Sequence, residues 1–222
     1  MKTFRKINQI GAALWLSVVH PGAHAQYIWI TNNDSAITIT GYDGPGGNEV
    51  IPSTIDGLPV TGVGGFADNT NLTGVILPDS ITSIDRAAFS GCTALRSVTL
   101  GKGLNSLWLG PCCAYDWQFY GCVSLTNFTV DPGNPAFSSL DGVLYSKAQD
   151  FLLAYPQGQR GNFAIPDGVD SRARAFDNCT GLTSLSIGNT WTGVPSFLEC
   201  TALTNISVDL EPFSKEGGFG EL

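Results

Sequence analysis

Five times between residues 66 and 208 the chain repeats one arrangement of apolar positions: Phe, Cys three places on, Leu three further, then apolar residues three and five places later. The copies are Phe66, Leu72, Val75 and Leu77, with Asn69 at the Cys station; Phe89, Cys92, Leu95, Val98 and Leu100; Phe119, Cys122, Leu125, Phe128 and Val130; Phe176, Cys179, Leu182, Leu185 and Ile187; and Phe197, Cys200, Leu203, Ile206 and Val208. Their starts lie 23, 30, 57 and 21 residues apart, so the basic unit is near 22 residues and two units carry insertions. The end of each copy alternates with a period of two, which predicts a short strand in which Val98 and Leu100 face inward and Ser97 and Thr99 outward. A second apolar pair follows, Ile81 and Ile84 in one unit and Leu104 and Leu107 in the next, and would return the chain along an opposite wall.

No unit of this kind holds itself together. Four or five apolar side chains do not offset the ordering of some twenty residues at roughly 1–2 kcal/mol each, so the units must stack, and a repeat solenoid of short parallel strands follows. Stacking predicts one shared interior in which Leu72, Leu95, Leu125, Leu182 and Leu203 form a single row. The cysteines fit a structural role: a small, nearly apolar side chain whose S–H can meet an unpaired carbonyl in a tight turn, with Asn69 doing the same through its amide.

The flanks read differently. Tyr27-Ile28-Trp29-Ile30 and Ala36-Ile37-Thr38-Ile39-Thr40 alternate about an Asn32-Asn33-Asp34-Ser35 turn, predicting a hairpin. Residues 26–60 are taken as an N-terminal β cap and lead-in, 61–208 as the solenoid with insertions near 108–118 and 131–164, and 209–222 as a disordered tail. Residues 1–25 have the three parts of a secretory signal peptide: Lys2, Arg5 and Lys6, an apolar stretch from Ile10 to Val19, and Ala23-His24-Ala25 as a cleavage site, with the cut expected after Ala25. That stretch falls short of the roughly 20 residues a membrane span needs, so export without membrane insertion is expected.

The repeat resembles the BspA-like leucine-rich repeats of secreted and surface bacterial proteins. The resemblance rests on Ala88-Phe89-Ser90-Gly91-Cys92-Thr93-Ala94-Leu95-Arg96-Ser97-Val98-Thr99-Leu100, on Leu77-Pro78-Asp79-Ser80-Ile81-Thr82-Ser83-Ile84 and on Ile51-Pro52-Ser53-Thr54-Ile55-Asp56-Gly57-Leu58-Pro59-Val60-Thr61, and spans about residues 37–208. It implies a leucine-rich-repeat fold of short parallel strands, turns and short helical pieces, with a small N-terminal β cap. It also implies one inserted hairpin, marked by Asn134-Pro135-Ala136-Phe137, Asp141-Gly142-Val143-Leu144-Tyr145 and Leu153-Ala154-Tyr155-Pro156, and protein ligands such as matrix or host surface proteins in some members. Arg172 and Arg174 depart from the apolar and small residues of that pattern, and Thr190-Trp191-Thr192-Gly193 does not continue the second wall, so weak closure is expected in those units.

Charge narrows the function. The chain has 11 Lys and Arg against 19 Asp and Glu, a formal −8, and removing the three cations of the leader makes the remainder more acidic still. Such a surface offers no footprint for nucleic acid or anionic lipid. Both histidines, His20 and His24, fall in the leader, so the mature chain lacks imidazole for catalysis or metal binding. No Cys-x-x-Cys spacing suggests zinc, nothing selects a glycosidase carboxylate pair, and the Asp43–Glu49 loop lacks the alternating carboxylates of a calcium site. No catalytic residue, cofactor or metal is therefore assigned.

The candidate residues are for binding. The 108–118 insertion gathers Trp108, Tyr115 and Trp117, followed by Tyr120, side chains that anchor interfaces or stack on sugars, or that simply bury themselves. Cys112 and Cys113 tie that insertion down, with or without a disulfide. The outward strand positions, among them Arg96, Thr99, Asn127 and Thr129, offer a small hydroxylated face. The expected function is an exported binding or adhesion module for an unknown extracellular protein or glycan. The rival is a secreted polysaccharide-acting β-helix enzyme or carbohydrate-binding module; an ice-binding solenoid has only Thr38-x-Thr40 in its favour.

Overall fold

A computed structural model describes residues 26–107, 118–188 and 196–208. The leader, Cys112, Cys113 and the 209–222 tail lie outside the described residues, as do Thr190-Trp191-Thr192-Gly193. The chain winds as a β-solenoid whose repeat strands form a long wall interrupted into two parallel sheets. Its strands are β3 (Gly47–Val50), β6 (Leu72–Leu77), β8 (Ser97–Leu100), β9 (Asn127–Val130), β13 (Gly161–Ala164), β15 (Leu182–Ile187) and β16 (Asn205–Val208). Pairing within each sheet, β3-β6-β8-β9 and β13-β15-β16, is parallel, with Val75 beside Val98 and Val98 beside Phe128, and the register shifts at the starts of β3 and β13. The opposite wall begins with β1 (Tyr27–Asn32) and β2 (Ala36–Tyr42), an antiparallel hairpin about the predicted turn, and continues from β2 to β5 (Leu58–Val63) and β7 (Ser83–Ile84) in parallel. The two-residue β4 (Thr54–Ile55) folds back on β5.

The period-two pattern sorts side chains as the sequence required. Val98, Leu100, Phe128 and Val130 are buried, while the residues between them face out. The repeated Phe residues stack into an aromatic ladder, with ring centroids 5.1 Å apart from Phe66 to Phe89 and 5.5 Å from Phe89 to Phe119. Tyr42 extends it at one end, 4.6 Å from Phe66, although no motif marks it. Each such buried ring contributes on the order of 1.5–3 kcal/mol.

Among the described residues there is no helix, so the short helical pieces expected from the family are replaced by single turns. The reason is local. The N–H of each Cys reaches the carbonyl of the Phe three residues before it, as in Cys92 to Phe89 at 3.2 Å. The residue just before the Cys station is left-handed in every copy: Asp68, Gly91, Gly121, Asn178 and Glu199 all have φ between 59° and 74°. A left-handed residue stops a right-handed helix from propagating.

The second departure concerns the interior. The inserted hairpin exists, as β10 (Phe137–Leu140), β11 (Val143–Ser146) and β12 (Phe151–Ala154), and β12 pairs in parallel with β14 (Asp170–Ser171). Its β11 and β12 are buried on both faces. Leu144, Leu153 and Ala154 pack with the first coils, whereas Val143, Tyr145, Leu152 and Tyr155 pack with Phe176, Leu182 and Leu185. The hairpin is thus a partition, and its Asp141-Gly142 turn takes the place a further strand would occupy beside β9, where Phe128 N–H donates to Gly142 O at 2.8 Å. The expected single leucine row is therefore two rows, Leu72, Leu95 and Leu125 in one interior and Leu182 with Leu203 in the other. Closure at Arg172 is also better than expected: its N–H donates to Leu152 O at 3.0 Å, and Ser171, Ala175 and Phe176 around it are buried.

Candidate binding face

The outward side of β3, β6, β8 and β9 carries two straight rows. One is Asn48, Gly74, Ser97 and Asn127; the other is Val50, Ile76, Thr99 and Thr129. Parallel pairing sets members of a row about 4.8 Å apart, and residues two apart on a strand about 6.6 Å, so hydroxyls and amides stand on a regular grid. Gly74 keeps the grid open: a Cβ there would come within 2.2 Å of Asn48 Oδ1 and 3.0 Å of Ser97 Oγ. Asn127 Nδ2 donates to Thr129 Oγ1 at 2.8 Å, which fixes both side chains along β9.

Arg96 lies at the near end of β8 and is exposed, in line with Thr73 and Thr126 through backbone bonds of 2.8 Å and 3.0 Å. Among the described residues it is the one charge set against these rows. At the far side Gln159 Nε2 donates to the carbonyls of Thr126 and Asp141, both at 3.0 Å, which seals the edge of β9 against the hairpin. A second, smaller face on β13, β15 and β16 repeats the theme with Asn162, Ser184 and Asn205 in one row.

Of the residues singled out from sequence, Arg96, Thr99, Asn127 and Thr129 come together on adjacent strands. Tyr120 does not join them. It lies in the turn before Cys122, half-buried, with its carbonyl accepting from Gly91 N–H at 2.7 Å. Trp108, Tyr115 and Trp117 fall outside the described residues. Sequence reading missed Val50, exposed to 58%, and Ile76, which give the face an apolar row. The signal was Gly47-Asn48-Glu49-Val50, an alternating stretch hidden by its glycine-rich approach.

The cysteines form a ladder of their own. Cys92 Sγ donates to Phe66 O at 3.0 Å, Cys122 Sγ to Phe89 O at 3.2 Å and Cys200 Sγ to Phe176 O at 2.9 Å. Burial pushes the Cys92 thiol up to about 11 and holds those of Cys122 and Cys179 well above the ordinary range, so none of the three is the thiolate that would attack an outside reagent at neutral pH. Among the described residues no three His, Cys, Asp or Glu side chains are grouped to hold a metal, and no helix is long and apolar enough to cross a membrane. The chemistry of the face is hydrogen bonding by neutral groups around one guanidinium, which suits recognition.

Solved structures show the same fold. The leucine-rich repeat protein of T. pallidum is 23% identical, with 86% of this chain and 84% of that chain covered and a TM-score of 0.52. The pneumococcal vaccine antigen PcpA is 18% identical over 83% of this chain and 68% of its own, with a TM-score of 0.50. No curated protein sequence matches. The sequence profile of the BspA type leucine-rich repeat region fits six copies, over residues 62–140 and 161–214. The chain belongs to the BspA-type leucine-rich repeat family.

Proposed function

We propose that the protein is an exported, non-catalytic module that binds an extracellular protein or glycan through the outward face of β3, β6, β8 and β9. The observation that carries this reading is the pair of straight rows around Arg96, rigidly spaced on a sheet whose other side is fully packed. Solenoids offer such extended faces to partners, and Arg is among the residues that concentrate binding energy. Export rests on the leader, with cleavage after Ala25. The aromatic insertion of Trp108, Tyr115 and Trp117 is the competing contact site.

The test uses the chain lacking residues 1–25 against immobilised extracellular matrix proteins and a glycan panel. Thr129→Arg and Arg96→Glu together should remove binding while the melting temperature stays within a degree or two. Binding that survives both changes but is lost in Trp108→Ala/Trp117→Ala would move the contact to the insertion. Release of reducing ends from a polysaccharide would replace the binding module with an enzyme.

A further inference from the structure

The last two described coils bring two thiols together. Leu185 is in register with Ile206, and Cys179 and Cys200 each lie six residues before those partners, so their backbones stack one strand spacing apart. That spacing, about 4.8 Å, falls within the roughly 4.4–6.8 Å between Cα atoms that a disulfide spans. The two thiols are near enough to influence each other's ionisation, Cys179 being held up and Cys200 drawn down. Cys179 is also the sulfur least held by its own carbonyl, lying 4.0 Å from Tyr155 O where the other three stand at 2.9–3.2 Å from theirs. Cys200 is only partly buried, whereas Cys92, Cys122 and Cys179 are fully enclosed.

From this geometry we propose that Cys179 and Cys200 are a redox-active pair, closing to a disulfide that staples the terminal coil when a small disulfide such as oxidised glutathione is present. Cys200 attacks first. Its thiolate displaces one glutathione thiolate and forms a mixed disulfide. Cys179 Sγ then attacks the Cys200 sulfur, the S–S bond to glutathione breaks, and the second glutathione thiolate leaves with the Cys179 proton. Two protein thiols are oxidised and one glutathione disulfide is reduced to two thiols. The neighbouring Cys179 side chain draws the Cys200 thiol below its ordinary range, which together with its exposure favours Cys200 as the attacking sulfur. A partly exposed, acidified thiol beside a second one is the arrangement of reversible thiol switches. The place for a staple is local: at β16 the core-station residues Ile206 and Val208 are 46% and 52% exposed, so their burial adds little to holding this coil on β15.

The test is incubation of the folded full chain with oxidised glutathione near pH 8, followed by alkylation and peptide mapping without reduction. The expected product links the peptides of Cys179 and Cys200, lighter by two hydrogens than their reduced sum, with Cys92 and Cys122 alkylated only after unfolding. Cys179→Ser should stop at a glutathione adduct on Cys200, and Cys200→Ser should leave Cys179 unmodified. Closure of this loop should raise amide-exchange protection in β16 by roughly one to two orders of magnitude. The same mapping in a Cys112→Ser/Cys113→Ser background keeps those thiols from scrambling the result. A stable glutathione adduct on Cys200 in the unsubstituted chain would overturn the proposal, as would modification of Cys92 at the same rate.

Discussion

Cys92 Sγ donates to the main-chain carbonyl of Phe66, one coil earlier, at 3.0 Å, and that carbonyl already accepts the N–H of Asn69 at 3.2 Å. The thiol therefore serves the second lone pair of a buried oxygen, and it ties coil to coil where the backbone has no N–H to spare. Cys92→Ala should cost about 1–2 kcal/mol, from the lost bond and a small void. Asn69 works differently: its Oδ1 accepts from the N–H groups of Asn71 and Leu72, both at 3.0 Å. Asn69→Cys, which would complete the repeat motif, should destabilise by a similar amount. Urea titration of both variants checks this, and a neutral Cys92→Ala would remove the inter-coil role.

Glu199 occupies the left-handed turn station with φ of 60°, where the other copies place Asp68, Gly91, Gly121 and Asn178. A β-carbon in that region costs roughly 1–2 kcal/mol, least for Asn, Asp and Gly. Glu199→Gly should therefore raise amide-exchange protection in the last coil by about tenfold. The reverse change at Gly91 is worse, because a Cβ there would stand 2.1 Å from Asp68 Oδ1. Gly91→Ala should lower the melting temperature by several degrees, and a variant that melts like the parent would contradict the turn assignment.

The left-handed residue before each Cys follows no single type, being Asp68, Gly91, Gly121, Asn178 and Glu199, so its turn was hidden, but the Cys station itself was legible as Phe-x-x-Cys because neighbouring coils repeat the same constraint. Tyr42 and Tyr155 were not. Each stands on an aromatic ladder, Tyr155 at 5.4 Å from Phe176, but neither has the Cys and Leu that identify the station. The divided interior was hidden for another reason: Val143-Leu144-Tyr145 is an unbroken apolar run, the mark of a strand buried on both faces, yet the resemblance implies only an inserted hairpin and says nothing of what covers its faces. The binding face was half visible, since β6, β8 and β9 belong to the repeat while Val50 enters it only once β3 pairs with β6.

Tyr27 and Tyr42 both donate to the carboxylate of Glu49, the second at 2.8 Å, which joins the terminal hairpin to the first strand of the long wall. Burial, and then the Glu49 bond and charge, push the Tyr42 phenol up to about 12, and burial does the same to Tyr145 and Tyr155. Raised values in the folded chain mean that protons are held more tightly there than after unfolding. The associated stability is complete below the unfolded values, about 8.5 for a thiol and about 10 for a phenol, and is lost as pH climbs through about 11 for Cys92 and about 12 for the tyrosines. Urea midpoints should hold to about pH 8.5 and fall beyond it. Tyr42→Phe should flatten the upper part of that fall, and a midpoint unchanged at pH 11 would contradict the buried phenols.

Asn134 lies at the base of the hairpin, fully buried, with all four of its hydrogen-bonding positions in use. Its Nδ2 donates to Gly101 O at 2.8 Å and Leu104 O at 2.9 Å, and its Oδ1 accepts from the N–H groups of Ala136 at 2.9 Å and Phe137 at 2.8 Å. It sits at the inward place of the return segment that Ile81 and Leu104 hold in earlier coils, so an apolar residue would fit the pattern and strand four backbone groups. Asn134→Leu should cost about 3 kcal/mol, since several buried groups lose their only partner. Asn134→Asp separates the two halves of the interaction. The oxygens keep the N–H groups of Ala136 and Phe137, but a carboxylate would face two carbonyl oxygens, so its pKa in the folded chain rises above the unfolded value. The aspartate variant should then approach the parent at low pH, where a protonated carboxyl donates to one carbonyl, and lose stability as pH rises toward neutrality. Denaturation of both variants at pH 4 and pH 7 reads the difference directly; an Asn134→Asp penalty equal at the two pH values would show that the amide donors do not hold the hairpin to the preceding coil.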